Sequence, residues 1–199
     1  MSKARIAAFL LFISATALSL SACAVNITKP VTEELKSPAL YQERRYQPVD
    51  MKTASKCALT PSINISNAET GKKLIVMEQV RKFNVNPKEL TDGIIEYMKD
   101  AFGKCGVKSD PASKKVVHVS LGETIVESPI LTGGHNSMVH LLIDIPEIKF
   151  NRFYQGEDTT THSRERAMAL AIQRAVWKII RDAEIQDYFL CNSVKPITQ

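Results

Sequence analysis

Two amphipathic helical patterns bracket a run of strand-like alternation, and this order most narrows what the chain can fold into. The first pattern opens at Asn86-Pro87-Lys88-Glu89. Asn is a capping residue, Pro suits the first helical position, and Glu three residues on can reach back to the cap. At 100° per residue, Leu90, Ile94, Tyr97, Met98, Ala101, Phe102 and Cys105 share one side, with Asp92, Glu96, Lys99 and Asp100 opposite. Gly103 and Gly106 then predict its end. The second pattern follows Ser163 and is expected to run to about Ala183, with Met168, Ala169, Ile172, Ala175, Val176, Ile179 and Ile180 as its apolar stripe.

Between them, residues 116–126 are β-rich, and Val139, Leu141, Ile143 and Ile145 alternate with His140, Leu142 and Asp144. Residues 131–137, with Gly133-Gly134, read as the connecting loop. Pro146 marks a bulge, turn or edge, and a further strand is predicted over 150–156. Ahead of the first helix, residues 60–66 predict a short strand and 74–84 an extended segment. A tail over 185–190 is expected to pack back. The order β, α, β, β, β, α predicts an α+β two-layer sandwich: a largely antiparallel sheet with two helices on one face.

The beginning of the chain is of another kind. Lys3 and Arg5 form a short positive region, and Ile6 to Leu20 is a 15-residue uncharged stretch. A bilayer span takes about 20 residues, so this reads as a secretory signal over residues 1–22. It closes on Leu20-Ser21-Ala22-Cys23, an aliphatic residue, two small ones and a cysteine, which resembles the lipobox of bacterial lipoproteins. The resemblance implies that Cys23 is lipidated on sulfur and acylated on its new amine. One acyl chain anchors a protein only marginally, whereas several hold it stably. No other segment of the sequence is long and apolar enough to span a bilayer. The next residue is Ala24 rather than Asp, which in the usual bacterial sorting pattern implies the outer membrane, facing the periplasm.

Residues 23–56 read as the lipidated cysteine and a flexible tether, since Pro30, Pro38 and Pro48 interrupt them and no periodicity persists. A coil of about 30 residues spans roughly 30 Å, enough to hold a domain clear of the membrane. Tyr41, Arg44, Arg45 and Tyr46 could dock on the domain or on a partner. The domain itself is expected over 57–199.

The layout of residues 57–191, and above all its end, supports a more specific resemblance. Gly156 is followed by an Ala-rich helix through Ala171-Ile172 and Ile180-Arg181-Asp182, then Ile185-Gln186-Asp187-Tyr188-Phe189-Leu190. This resembles the close of the YajG-type lipoproteins, a family without an established biochemical role. The lipopolysaccharide-assembly lipoproteins share a related layout, but usually carry Gly-Trp or a similar pair where this chain has Ala24-Val25.

No nucleophile elbow, zinc-protease helix, phosphate loop or dinucleotide fingerprint is present in the sequence. The net charge is +5 over 199 residues, without a dense basic block, so nucleic acid is not an expected partner. No cofactor or metal site is expected, although His118, His135 and His140 could in principle approach one another. Cys57, Cys105 and Cys191 remain after lipidation. The topology brings them towards one sheet edge, and one disulfide with one spare thiol is expected, worth about 4 kcal/mol if Cys57 pairs with Cys105.

On the last helix, Leu170 and Trp177 project on the polar side of the wheel, flanked by Arg174 and Arg181. Trp and Arg dominate binding hot spots, so these four are candidate contacts with an envelope protein, glycan or lipid. Alternatively, Trp177 packs inward and the arginines are solvated. The expected function is a non-catalytic envelope binding or scaffolding lipoprotein. The alternatives are an accessory of lipopolysaccharide assembly, envelope transport or peptidoglycan synthesis, and a periplasmic enzyme with an unrecognised site.

Overall fold

A computed structural model describes residues 25–37, 61–70, 74–77, 82–128 and 133–189. Cys23, Cys57, Cys191 and the Tyr41–Tyr46 stretch lie outside the described residues. The strands are β1 (Val25–Asn26), β2 (Ser62–Asn67), β3 (Leu74–Met77), β4 (Lys82–Val85), β5 (Lys108–Ser109), β6 (Val116–Glu127), β7 (His135–Ile145) and β8 (Phe150–Thr160). The helices are α1 (Thr28–Leu35), α2 (Pro87–Lys104), α3 (Arg164–Arg181) and α4 (Ala183–Phe189).

The architecture is α+β. A five-stranded sheet in the order β5-β2-β6-β7-β8 carries α2 over its β2 side and α3 over β7 and β8, and a small sheet β1-β4-β3 lies beside it. The long ladders, β6 with β7 and β7 with β8, are antiparallel. The two pairings of β2, with β5 and β6, are parallel. Alternation does the burying: Val139, Leu141, Ile143 and Ile145 face the helices, while His140, Leu142 and Asp144 stay half-buried on the other side. Both predicted caps form. Asn86 Oδ1 accepts from the Glu89 amide at 3.3 Å, and Ser163 Oγ from the Arg166 amide at 3.1 Å.

Several boundaries move. β7 starts at His135, inside the stretch expected to be a loop, and β8 continues to Thr160. The last helix is two: Asp182 takes an extended ψ of 123° and α4 restarts from it. The ring of Phe189 meets Phe102 edge-on at 5.1 Å, and Lys115 Nζ donates to the carbonyls of Tyr188 and Phe189 at the end of α4. The tail therefore packs back.

The tether expected over 23–56 is corrected for residues 25–37, which are part of the folded body. Pro30 is the third residue of α1. In that first turn the backbone N–H has no partner inside the helix, so proline does not interrupt it. Ile27, Val31 and Leu35 are at most 1% exposed and lie one helical turn apart. They pack α1 on both α2 and α3. Gly93 makes the close approach to α2 possible, because a Cβ there would overlap the Thr32 side chain. Glu34 completes the contact by pairing with Arg166 at 3.0 Å. Among the described residues, no helix is long and apolar enough to cross a membrane.

Candidate functional site

The most distinctive surface forms where α3 crosses the edge strand β8. Gly156 sets the crossing: a Cβ at this position would overlap the Ala171 carbonyl oxygen and stand 2.7 Å from the Ala175 nitrogen. Helix backbone thus lies directly on strand backbone. The side chains of the next two turns of α3 fan out along the strand. Arg174 Nε pairs at 2.8 Å with Asp158, whose side chain is 0% exposed. Lys178 Nζ donates to the Gln155 carbonyl at 2.7 Å. A charge-assisted bond of this kind to an edge carbonyl satisfies backbone that would otherwise be open to a pairing strand.

Asp182 closes the row. Its Oδ1 accepts from the amides of Glu184 at 2.9 Å and Ile185 at 3.4 Å, starting α4. Its Oδ2 accepts from Tyr154 Oη at 2.7 Å and Arg152 Nη1 at 2.5 Å, and Arg152 Nη2 reaches Glu184 at 2.7 Å. Burial alone would raise the Asp182 carboxyl. The Tyr154 hydroxyl, the Ile185 amide, the Arg152 charge and the Glu184 amide outweigh it and hold the group below the usual aspartate range. Burial, reinforced by the Asp182 carboxylate, pushes the Tyr154 hydroxyl up.

This network sets a pH dependence. A carboxyl lowered in the folded state adds stability above its ordinary value near 3.9, and that stability is lost as pH falls through the folded value. Asp182→Asn should therefore melt lower than the parent at neutral pH, with the gap closing as pH falls below the ordinary aspartate value near 3.9. A gap that stays constant over that range would remove Asp182 from the acid response.

Two cavities share Arg174. A groove of ≈ 390 Å³ is lined by Arg174, Trp177, Lys178, Arg181 and Asp182. A broader depression of ≈ 510 Å³ on the other side includes Glu127, Asn136, Glu157, Asp158 and Thr159. The polarity changes sign across the Arg174–Asp158 pair: three cations and one carboxylate on one side, three carboxylates and one cation on the other.

Of the four predicted contact residues, Arg174, Trp177 and Arg181 share the groove, while Leu170 is not among the residues that line it. The placement of Leu170 and Trp177 on a polar face is corrected. They are 2% and 5% exposed and belong to the core. The reason is that α3 is covered by the sheet, by α1 and by α4, so its buried arc is wider than a single-face wheel assumes. Trp177 contributes only an edge to the groove. Lys178, Asp182, Arg152, Tyr154 and Asp158 escaped the sequence reading. Gly156, a lone glycine in a strand, was the available signal that another backbone came close.

The three histidines do not converge. His118 Nδ1 is 2.7 Å from Ser66 Oγ, His135 Nδ1 is 2.6 Å from Ser128 Oγ, and His140 Nε2 is 3.0 Å from Gln155 Oε1. His118 stands opposite Asp144, four residues along β7 from His140. Among the described residues, no group of three or more His, Cys, Asp or Glu has the spacing to hold a metal ion. Cys105 is fully buried at the end of α2, and its predicted partners fall outside the described residues.

No family model matches the chain, and no curated protein does. Among solved structures, the chain is similar to protein XCC0632 from Xanthomonas campestris, of the DUF330 family. The two are 12% identical with a TM-score of 0.44, over 74% of this chain and 93% of that one.

Proposed function

We propose that this protein is a lipid-anchored, non-catalytic binding or scaffolding component of a bacterial envelope, of the YajG-type lipoproteins. Lipid on Cys23 holds it in the outer membrane, facing the periplasm. The lipobox Leu20-Ser21-Ala22-Cys23 supports the anchor. The observation that carries the binding role is the groove, in which Arg174, Lys178 and Arg181 stand together beside the edge of Trp177. Such a surface suits an acidic group on an envelope partner, because clustered cations beside an aromatic combine charge with apolar contact.

Two measurements test this reading. Cys23→Ser should abolish incorporation of labelled fatty acid and leave the precursor uncleaved or the chain free of membranes. A mutant that still takes up label refutes the anchor. Arg181 is exposed on the rim of the groove, so Arg181→Glu should leave folding intact, within about 0.5 kcal/mol. Capture of partners from crosslinked envelopes should nevertheless fall about ten-fold, or about 1.4 kcal/mol. Undiminished capture would move the binding surface elsewhere.

A further inference from the structure

The described body begins at Val25, two residues after Cys23 and one after Ala24. Its hold on the rest of the chain is immediate. Val25 and Asn26 pair in parallel with Phe83 and Asn84 of β4. The Ile27 amide donates to the Asn84 carbonyl at 3.2 Å, and the Asn86 amide to Thr28 Oγ1 at 2.8 Å. Then α1 buries Ile27, Val31 and Leu35 against α2 and α3.

Consecutive Cα atoms are about 3.8 Å apart, so the Cα of Cys23 lies within about 8 Å of the first ladder residue. Acyl chains on Cys23 occupy the hydrocarbon of a bilayer, and their glyceryl group sits at the headgroups. An 8 Å connection is shorter than the headgroup layer and a hydration layer together, because the polar regions add roughly 5–8 Å to each side of the hydrocarbon.

We propose that the domain rests directly on the bilayer surface, with the Val25 end of the β1-β4-β3 sheet against the phospholipid headgroups, and that β1 and α1 fix this orientation. The inference rests on the reading of Cys23 as the lipidated residue. It replaces a body swinging on a long leash with one held edge-on. Lys82, the first residue of β4, directly precedes Phe83, the ladder partner of Val25. Position 82 is thus one residue from the Val25 pairing, at the end of the ladder that Cys23 leads into. The far reference is Lys104, at the other end of α2. The 18 residues of that helix put it about 27 Å from Pro87.

The test places the photocrosslinking residue benzoylphenylalanine at Lys82 or at Lys104 in the full-length lipidated protein. The protein is held in vesicles of phosphatidylethanolamine and phosphatidylglycerol, and phospholipid adducts are read by mass. The expected result is an adduct from position 82 and none from position 104. A long Gly/Ser insertion between Ala24 and Val25 should abolish the adduct at 82. Equal labelling at the two positions, or an adduct that survives the insertion, overturns the proposal. The intact mass of the mature chain reports acylation separately. If Cys23 proves unmodified, the anchor reading fails. The geometry is then tested on the chain from Cys23 onward, with Cys57→Ser and Cys191→Ser, coupled through the Cys23 thiol to a maleimide lipid.

Discussion

Trp177→Ala should cost about 3–5 kcal/mol, the range for deleting a large aromatic from a packed core. The side chain is 5% exposed and belongs to the same core cluster as Ile179, Ile180 and Tyr154. The stability of a domain of this kind is about 5–15 kcal/mol, so the variant loses a large fraction of it. The readout is thermal melting, with a fall of roughly 10 °C or more at this size. The sample must keep residues 25–37, because α1 packs on α2 and α3. A fragment starting at Cys57 would already lack that cover. An unchanged melting temperature would return Trp177 to the surface and restore it as a contact of its own, rather than as the wall beside Arg174 and Arg181.

Gly156→Ala should be comparably severe for the opposite reason: it adds a methyl group where there is no space. The new Cβ would overlap the Ala171 carbonyl oxygen and stand 2.7 Å from the Ala175 nitrogen and 2.9 Å from the Ala171 carbonyl carbon. All three are backbone atoms in the middle of α3, so no side chain can swing aside. Either α3 lifts from β8 or the strand edge moves. Overpacking typically costs 1–3 kcal/mol, and a clash with rigid backbone falls at about 3 kcal/mol or above. Melting of the variant and the solvent protection of the Lys178 and Arg174 region should both drop. A variant that melts like the parent would show that the crossing is looser than its geometry. The two variants differ usefully: Trp177→Ala leaves a cavity beside the groove, whereas Gly156→Ala shifts the helix that carries the groove away from β8.

The candidate site was legible only in part. Arg174, Trp177 and Arg181 stood out because they broke the apolar stripe of α3, and they do share a groove. Their partners did not stand out. Asp158 and Tyr154 alternate inward on β8 like any core positions. Nothing local distinguishes an inward carboxylate that will meet an arginine from one that will not. Asp182 reads as the end of a helix, and it becomes the junction of α3, α4 and β8 only because Arg152 and Tyr154 arrive from 30 and 28 residues away.

What the sequence determined by itself is what depends on neighbours a few residues apart. The cap at Asn86, the cap at Ser163, the apolar stripes of α2 and α3, the β-rich run of β6 and the alternation along β7 are local hydrogen-bonding and burial patterns, and the structure carries all of them. The α+β class follows from their order. Only the tertiary structure decided three things. It set β2 parallel to both β5 and β6, pairings between residues 46 and 52 apart with no local signature. It folded residues 25–37 onto the body, because eight helical residues gain stability from α2, α3 and Gly93 rather than from their own propensity. It also buried Trp177, since how much of a helix is covered depends on how many elements surround it. A helical wheel records only which residues lie on the same side. The number of sides that become buried is set by chain segments distant in sequence, and here α1 and α4 cover what the two-layer pattern alone left exposed.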